Sequence, residues 1–247
     1  MLHSMKRLYG YKIGALDGAI GQVKDFYFDD NAWTIRYAVA DTGPWMMGRL
    51  VLLSPRAFGT LEREERVLRV NLTRQQIENS PPIESHKPVS RRYEEHYHQY
   101  YGWPYYWQDS VWGMGGFPIL TELPGPFVGE QQGKAEKQRN IDAHLRSAQV
   151  VGRFRIQARG ESIGHVSDFV VNDETWGIHG LVMHTGAWLS GRKVVIAPGE
   201  IERISWNEST IFAKSSTEEL MQAPLFDELS LNDAANVTSE HQMTIFV

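Results

Sequence analysis

The chain contains no cysteine, which removes disulfides, thiolate nucleophiles and cysteine metal ligands together and accords with a reducing compartment. It also has no stretch approaching the roughly 18 apolar residues that a membrane-spanning helix needs. Gly, Lys and Asp follow Met1–Arg7 where a secretory signal would be apolar, so none is expected. Positive charge is neither abundant nor concentrated. The formal net charge is −5 and the pI about 6.0, and no Lys/Arg run exceeds a pair such as Arg91-Arg92. Phosphate backbones require a concentrated basic surface, so a nucleic-acid partner is disfavoured. Enzyme signatures are missing as well. There is no G-x-S-x-G and no G-x-x-x-x-G-K, and Gly113-Met114-Gly115-Gly116 lacks the strand and helix around it that would make it a nucleotide loop.

What the chain does have is a duplication. Leu2 through Arg56 superimpose without a gap on Leu145 through Gly199, an offset of 143 residues. Both copies carry the frame I-G-x-V-x-D-F, then D-x-x-W, then T-G-x-W-x-x-G-R-x-V and a proline. The first copy supplies Ile20, Gly21, Val23, Asp25, Phe26, Trp33, Thr42, Gly43, Trp45, Gly48, Arg49 and Pro55. The second supplies Ile163, Gly164, Val166, Asp168, Phe169, Trp176, Thr185, Gly186, Trp188, Gly191, Arg192 and Pro198. So many matches in one register identify two units, which the length fits at roughly 75 to 85 residues each, with a connector and a tail.

Within each unit the short alternating runs and frequent turn clusters predict strands. Ile20–Phe28 meets the turn Asp29-Asp30-Asn31, Thr34–Ala40 returns, and Arg49–Leu53 ends at Ser54-Pro55. Copy two repeats the order, with its turn at Asn172-Asp173-Glu174. A brief helix with a capping-box pattern follows in each, at Thr73–Gln76 and Ser216–Glu219, and Pro81-Pro82 and Pro224 close the units. The fold class predicted is all-β with short helices.

The G-x-V-x-D-F strand, the Asp-containing hairpin, the apolar return strand and the K/R-x-V-x-x-P segment together resemble the PRC-barrel family, which includes the cytoplasmic domain of the photosynthetic reaction-centre H subunit. Gly21–Phe26 with Arg49–Pro55, and Gly164–Phe169 with Lys193–Pro198, carry the resemblance. It implies two tandem six-stranded β-barrels, over residues 1–83 and 144–226, joined by a connector at 84–143 and followed by a tail at 227–247. It implies a bacterial docking or assembly module, and no catalytic set accompanies the fold.

Several residues invite chemistry. Asp25 and Asp168 repeat at one strand position, and either form an acid/base or cation site or accept loop amide hydrogen bonds as part of the fold. Trp45 with Arg49, and Trp188 with Arg192, flank a glycine turn; exposed, each pair suits a protein interface, and buried, it plugs a barrel end. The histidines have no metal-site spacing: His96 and His98 lie beside Glu94 and Glu95, with His86 nearby, but Glu95-His96-Tyr97-His98 is not H-E-x-x-H, and copy one has Arg36 and Asp41 where copy two has His179 and His184.

The connector is aromatic in a way that a solvated linker is not. Six of ten tyrosines and three of eight tryptophans fall between Tyr93 and Trp112. Ser90 is expected to cap a helix whose Tyr93, Tyr97, Tyr100 and Tyr101 form one stripe, stopped by Gly102 and Pro104. With Trp103, Tyr105 and Trp107, this segment welds the two units together, meets a partner, including a second copy of the chain, or recognises a sugar or lipid headgroup. Residues 129–139 are polar and read as the mobile link, where proteolysis is expected to cut first and leave two folded pieces. The function expected is a non-enzymatic protein-binding or assembly module without cofactor or metal, cytoplasmic, or peripheral at the inner membrane through a partner. Two alternatives stay open: a peripheral component of membrane-associated electron transport, and a metal-binding protein or enzyme using the histidines and aspartates.

Overall fold

Strand and helix positions recur at the offset of the duplication. In the computed structural model, which describes residues 1–83, 89–107, 145–186, 191–223 and 225–226, the first copy forms β1 (Leu2–Ser4), β2 (Lys12–Ala15), β3 (Gly18–Asp29), β4 (Thr34–Asp41), β5 (Leu50–Leu53), β6 (Phe58–Glu62) and β7 (Val67–Val70). The second forms β8 (Leu145–Ser147), β9 (Arg155–Ala158), β10 (Glu161–Asn172), β11 (Ile178–Thr185), β12 (Lys193–Ile196), β13 (Ile201–Ser205) and β14 (Thr210–Ala213). Short helices α1 (Met5–Leu8) and α2 (Arg74–Glu78) in copy one match α4 (Ala148–Val151) and α5 (Thr217–Met221) in copy two, and α3 (Arg91–Tyr101) lies in the connector. Thr73 and Ser216 close the expected capping boxes.

Each sheet has seven strands. The paths run β5-β4-β3-β2-β7-β6 and β12-β11-β10-β9-β14-β13, antiparallel except for β2 with β7 and β9 with β14. The seventh strand in each sheet comes from the other copy: β1 pairs with β10, and β8 pairs with β3. The reason lies in strand length. β3 has 12 residues while β2 has 4, so the Tyr27–Asp29 end of β3 would expose unpaired amides and carbonyls on one edge. β8 covers that edge, with Ser147 opposite Tyr27 and Leu145 opposite Asp29. In the same register β1 covers β10, Ser4 opposite Val170 and Leu2 opposite Asn172.

The sheets are open. Among the described residues no pairing joins β5 to β6 or β12 to β13, so the closed six-stranded barrels expected from sequence are not seen. The cause is local: Pro55 and Pro198 begin 3-10 turns at Pro55–Ala57 and Pro198–Glu200, which redirect the chain at the corner and supply no proline N–H for a ladder.

The repeated glycine and tryptophan of the frame have physical roles. Gly21 and Gly164 sit at φ +139° and +158°, and a Cβ on either would strike the carbonyl of Asp41 or His184 on the neighbouring strand. Trp33 and Trp176 adopt positive φ, 49° and 57°, and each gives its carbonyl to the opposite copy: Ile178 N–H donates to Trp33 at 2.7 Å and Ile35 N–H to Trp176 at 2.8 Å. Buried side chains of both copies make one continuous core, beside a smaller cluster of Tyr37, Val39, Leu52, Val89, Tyr97 and Leu145. Phe28 meets Phe169 at 5.6 Å between ring centroids, and Trp176 packs on Phe26 at 6.1 Å and edge-on to Phe58 at 4.6 Å.

The mobile link expected at 129–139 lies outside the described residues. Strand exchange nevertheless alters what a cut there should produce, because each half keeps a strand and helix seated in the other. A single nick between residues 108 and 144 should leave two fragments that co-elute as one 28.2 kDa particle under native conditions and part only in denaturant. Separate elution of two folded fragments on native size-exclusion chromatography would contradict the interlock.

Candidate functional site

The repeated aspartates sit on the exchange seam. Asp25 accepts from its neighbour Phe26 N–H at 2.7 Å, from Gln149 N–H at 3.1 Å and from the Ser147 hydroxyl. Asp168 accepts from Phe169 N–H at 2.7 Å, from Lys6 N–H at 3.0 Å and from the Ser4 hydroxyl. Each carboxylate therefore bonds one amide of its own copy and two donors of the other. Burial pushes both carboxyls above the ordinary aspartate range, and the serine hydroxyls and the amides pull part of that shift back. Of the two sequence alternatives, the geometry is that of a carboxylate accepting amide and hydroxyl hydrogen bonds. Around the seam, Arg146 Nε donates to Asp30 at 2.9 Å, and His3 meets Asp173 at 2.8 Å in the equivalent place.

The connector helix α3 forms as its sequence predicts. Ser90 Oγ accepts from Tyr93 N–H at 3.2 Å, and Gly102 ends the helix at φ 67°, a left-handed value that glycine adopts without a Cβ penalty. Its inner face covers the outer side of β4 and β5. Tyr97 is fully buried, edge-on to Tyr37 at 5.3 Å; its hydroxyl donates to the Leu52 carbonyl at 3.0 Å and accepts from Ser54 N–H at 3.1 Å. Tyr101 and Trp103 stack at 4.5 Å beside it. The helix chooses the first copy because that copy presents Tyr37 where the second has Gly180, whose missing side chain is replaced by the Val195 methyl.

A polar cluster lies beneath this aromatic layer. Glu94 is fully buried; it accepts from Tyr106 at 2.7 Å and from Tyr37 at 3.1 Å and pairs with Arg91 at 3.0 Å. His98 Nδ1–H donates to the Pro104 carbonyl at 2.9 Å, and its Nε2 faces the Tyr37 hydroxyl at 3.3 Å, where it competes with Glu94 for that hydroxyl's single proton. Burial, then the cationic charges of Arg56, Arg91 and Arg36, holds the His98 pKa below the usual histidine value, so the ring is neutral at pH 7. Burial and the Glu94 charge push Tyr37 and Tyr106 upward. Arg36 lies 3.9 Å over the Tyr106 ring and Arg91 4.0 Å over Trp107, and Tyr105 stacks on Trp107 at 4.8 Å. A carboxylate, a histidine and two phenols thus converge, but Glu94, His98 and Tyr37 are at most 1 % exposed, and their polar atoms face one another. Sequence reasoning placed His98 and Glu94 side by side without their burial. The i, i+4 spacing was the available signal, and it needs the opposing Tyr37 to be read.

The two Trp/Arg loops differ in what can be described. In copy one Trp45 is half-buried under Arg74, 4.7 Å away, and Arg49 donates to the Glu78 carbonyl at 2.9 Å and to that of Ser80, so both bind the loop to α2. In copy two Arg192 is exposed and its carbonyl accepts from Thr185 N–H at 2.9 Å; Trp188 lies outside the described residues, as do His86 and Trp112. Among the described residues no three metal-ligating side chains gather, and no helix is long and apolar enough to cross a membrane. A scan of the chain against protein-family models finds no match, and a search of curated proteins finds none.

Two outcomes follow from this packing and charge. Tyr97→Phe removes one hydroxyl and strands the Ser54 amide in the interior, and should cost about 1–3 kcal/mol in chemical denaturation; Tyr97→Ala, which opens a cavity, should cost about 3–5 kcal/mol. Wild-type stability in both variants would mean that the helix does not pack as described. For Asp25 and Asp168, a folded pKa above the unfolded value means that the folded state takes up protons more readily. The stability they contribute is full below the unfolded value of about 3.9 and drains as pH rises through their higher folded values. Denaturation across the acid range should show this slope in the wild type and its loss in the Asp25→Asn/Asp168→Asn double variant.

Proposed function

We propose that the chain is a non-catalytic assembly module built of two PRC-type units and that it docks a protein partner through the Thr42–Arg49 loop. The observation that carries this is Met47, 99 % exposed at the tip of a loop that is otherwise held firmly. Thr42 Oγ1 and N–H both donate to the Arg49 carbonyl, at 2.8 and 3.2 Å, and Gly48 N–H donates to Gly43 at 2.6 Å. With Arg49 and Trp45 fastened to α2, a flexible, polarisable side chain is displayed on a preorganised support. Such a group gains contact area on binding while little loop entropy is lost. The PRC-type reading is supported by the six-strand order within each sheet, whose two end strands are consecutive in the chain and joined by one 3-10 corner. It is supported also by the repeated G-x-V-x-D-F strand. The aspartates fit it too, since each hydrogen-bonds a serine hydroxyl and an amide of the other copy and so holds the two units together.

The test is affinity capture with the full chain and with Met47→Asp, a change at a side chain with almost no contact to the interior. A protein retained by the wild type and lost by Met47→Asp, with equal melting temperatures for the two baits, supports the reading. Equal retention by both baits, or nothing retained by either, refutes docking through this loop. Membrane electron-transport proteins in the captured set would favour the alternative of a peripheral role there, and stoichiometric metal in the purified chain would favour a metalloprotein.

A further inference from the structure

We propose that His165 and His184 form a chelating site for a late divalent transition metal ion, Cu²⁺ or Zn²⁺. The two residues are direct partners in the register of β10 with β11, so their side chains stand side by side on one face of the sheet. Their ring centres lie 5.3 Å apart with the planes tilted by 37°. With metal–nitrogen bonds of about 2.0–2.1 Å, two imidazoles on one tetrahedral ion hold their centres about 5 Å apart. The ladder therefore keeps both rings at the separation that the ion requires, and much of the ordering cost of bringing up a second ligand is already met.

The fold does not account for this pair. In copy one the same two places hold Gln22 and Asp41, again partners across the ladder, and there the fold uses the aspartate: Asp41 accepts from Gly43 N–H at 2.9 Å and meets Lys24 at 3.8 Å. In copy two the equivalent loop amide, Gly186 N–H, donates to the Ile163 carbonyl instead, which releases position 184 from capping the loop. Among the described residues neither imidazole enters a hydrogen bond or an ion pair. His165 is exposed and His184 half-buried. The position from which a side chain would begin 3.7 Å from His184 Nε2 is Gly191, so nothing there covers that nitrogen.

Ligand chemistry selects the ion. Imidazole suits Cu, Zn and Ni, and affinity among divalent ions is highest for Cu²⁺, whereas Ca²⁺ and Mg²⁺ take oxygen ligands. Arg155 and Lys193 flank the pair as the next partners across the ladder, and the charge of Lys6 acts on His165. These cations oppose every bare dication alike, so discrimination falls to donation from nitrogen, and they favour an ion whose remaining positions carry a small anion. Among the described residues no third metal-ligating side chain gathers with the two. The ion is therefore held by two protein ligands and exchanges readily, unlike one in a closed structural site. The assignment is independent of docking through the Thr42–Arg49 loop.

The full chain, freed of metal with a chelator, should be titrated calorimetrically near neutral pH with Cu²⁺, Zn²⁺ and Ca²⁺. The site predicts one Cu²⁺ or Zn²⁺ per chain, Cu²⁺ the tighter, no binding of Ca²⁺, and an electron paramagnetic resonance spectrum of the Cu²⁺ complex with two imidazole nitrogens coordinated. His165→Gln, which installs the residue of copy one at that place, and His184→Gln should each weaken Zn²⁺ roughly tenfold or more at an unchanged melting temperature. His179→Gln, an exposed histidine on β11 outside the pair, should leave the affinity as it was. Absence of saturable Cu²⁺ and Zn²⁺ binding, unchanged affinity in His165→Gln, or an equal loss in His179→Gln would each overturn the assignment. Should His184→Gln fail to fold, His165→Gln and the nitrogen count of the Cu²⁺ spectrum still decide the question.

Discussion

Asp25 and Asp168 are buried carboxylates that cannot be satisfied from within their own copy, and the arrangement of the molecule follows from that need. Each is reached by one amide of its own chain neighbour and by a serine hydroxyl and an amide from the far repeat. A buried polar group without partners costs more than a hydrogen bond contributes, so the seam is held less by any net gain from these bonds than by the penalty for breaking them. The strand edges add the same constraint at the level of the backbone. The distal halves of β3 and β10 have ladder groups that only the other copy's short strand covers, and the reciprocal Trp33 and Trp176 carbonyls continue the exchange into the hairpin turns.

Symmetry at the seam coexists with asymmetry outside it, and single residues decide where. Tyr37 against Gly180 determines which sheet the connector helix covers, because an aromatic ring offers Tyr97 a buried edge contact and a glycine filled by Val195 does not. Arg36 against His179 acts in the same direction, since Arg36 lies over Tyr106 and extends the helix contact into the chain that follows it. Duplication supplied two equal surfaces, and substitutions outside the shared frame made one of them a packing face.

Much of this was legible in the chain itself, and the reasons are local. The frame predicts the strands because alternation and turn residues act over a few positions. The Ser90 cap, the tyrosine stripe and Gly102 predict α3, and both capping boxes form as read. The partner of β1 could not be read in this way. Leu2-His3-Ser4 and Leu145-Arg146-Ser147 share the pattern L-x-S, and each would present the same leucine and serine to either sheet in the same register. Choosing between pairing at home and pairing across depends on chain path and not on side-chain chemistry. The burial of Glu94 and His98 was illegible for a related reason: a charged helix face becomes interior only when another element, here Tyr37 on β4, supplies its hydrogen-bond partners.

The exchange also sets an order of events on the ribosome. Ser4 and Asp168 are 164 residues apart in sequence, so at about 5–20 residues per second the first strand emerges on the order of ten to thirty seconds before its acceptor exists. During that interval the first copy has its own long strand half-covered and its Asp25 without Ser147, while β1 has no sheet to join. Contacts of such sequence separation are the ones that slow folding, and an unpaired edge is the feature that invites association with neighbouring chains. A nascent first copy is therefore complementary to another nascent first copy, and the arrival of the second repeat in the same chain, at high effective concentration, is what directs β1 to its own molecule.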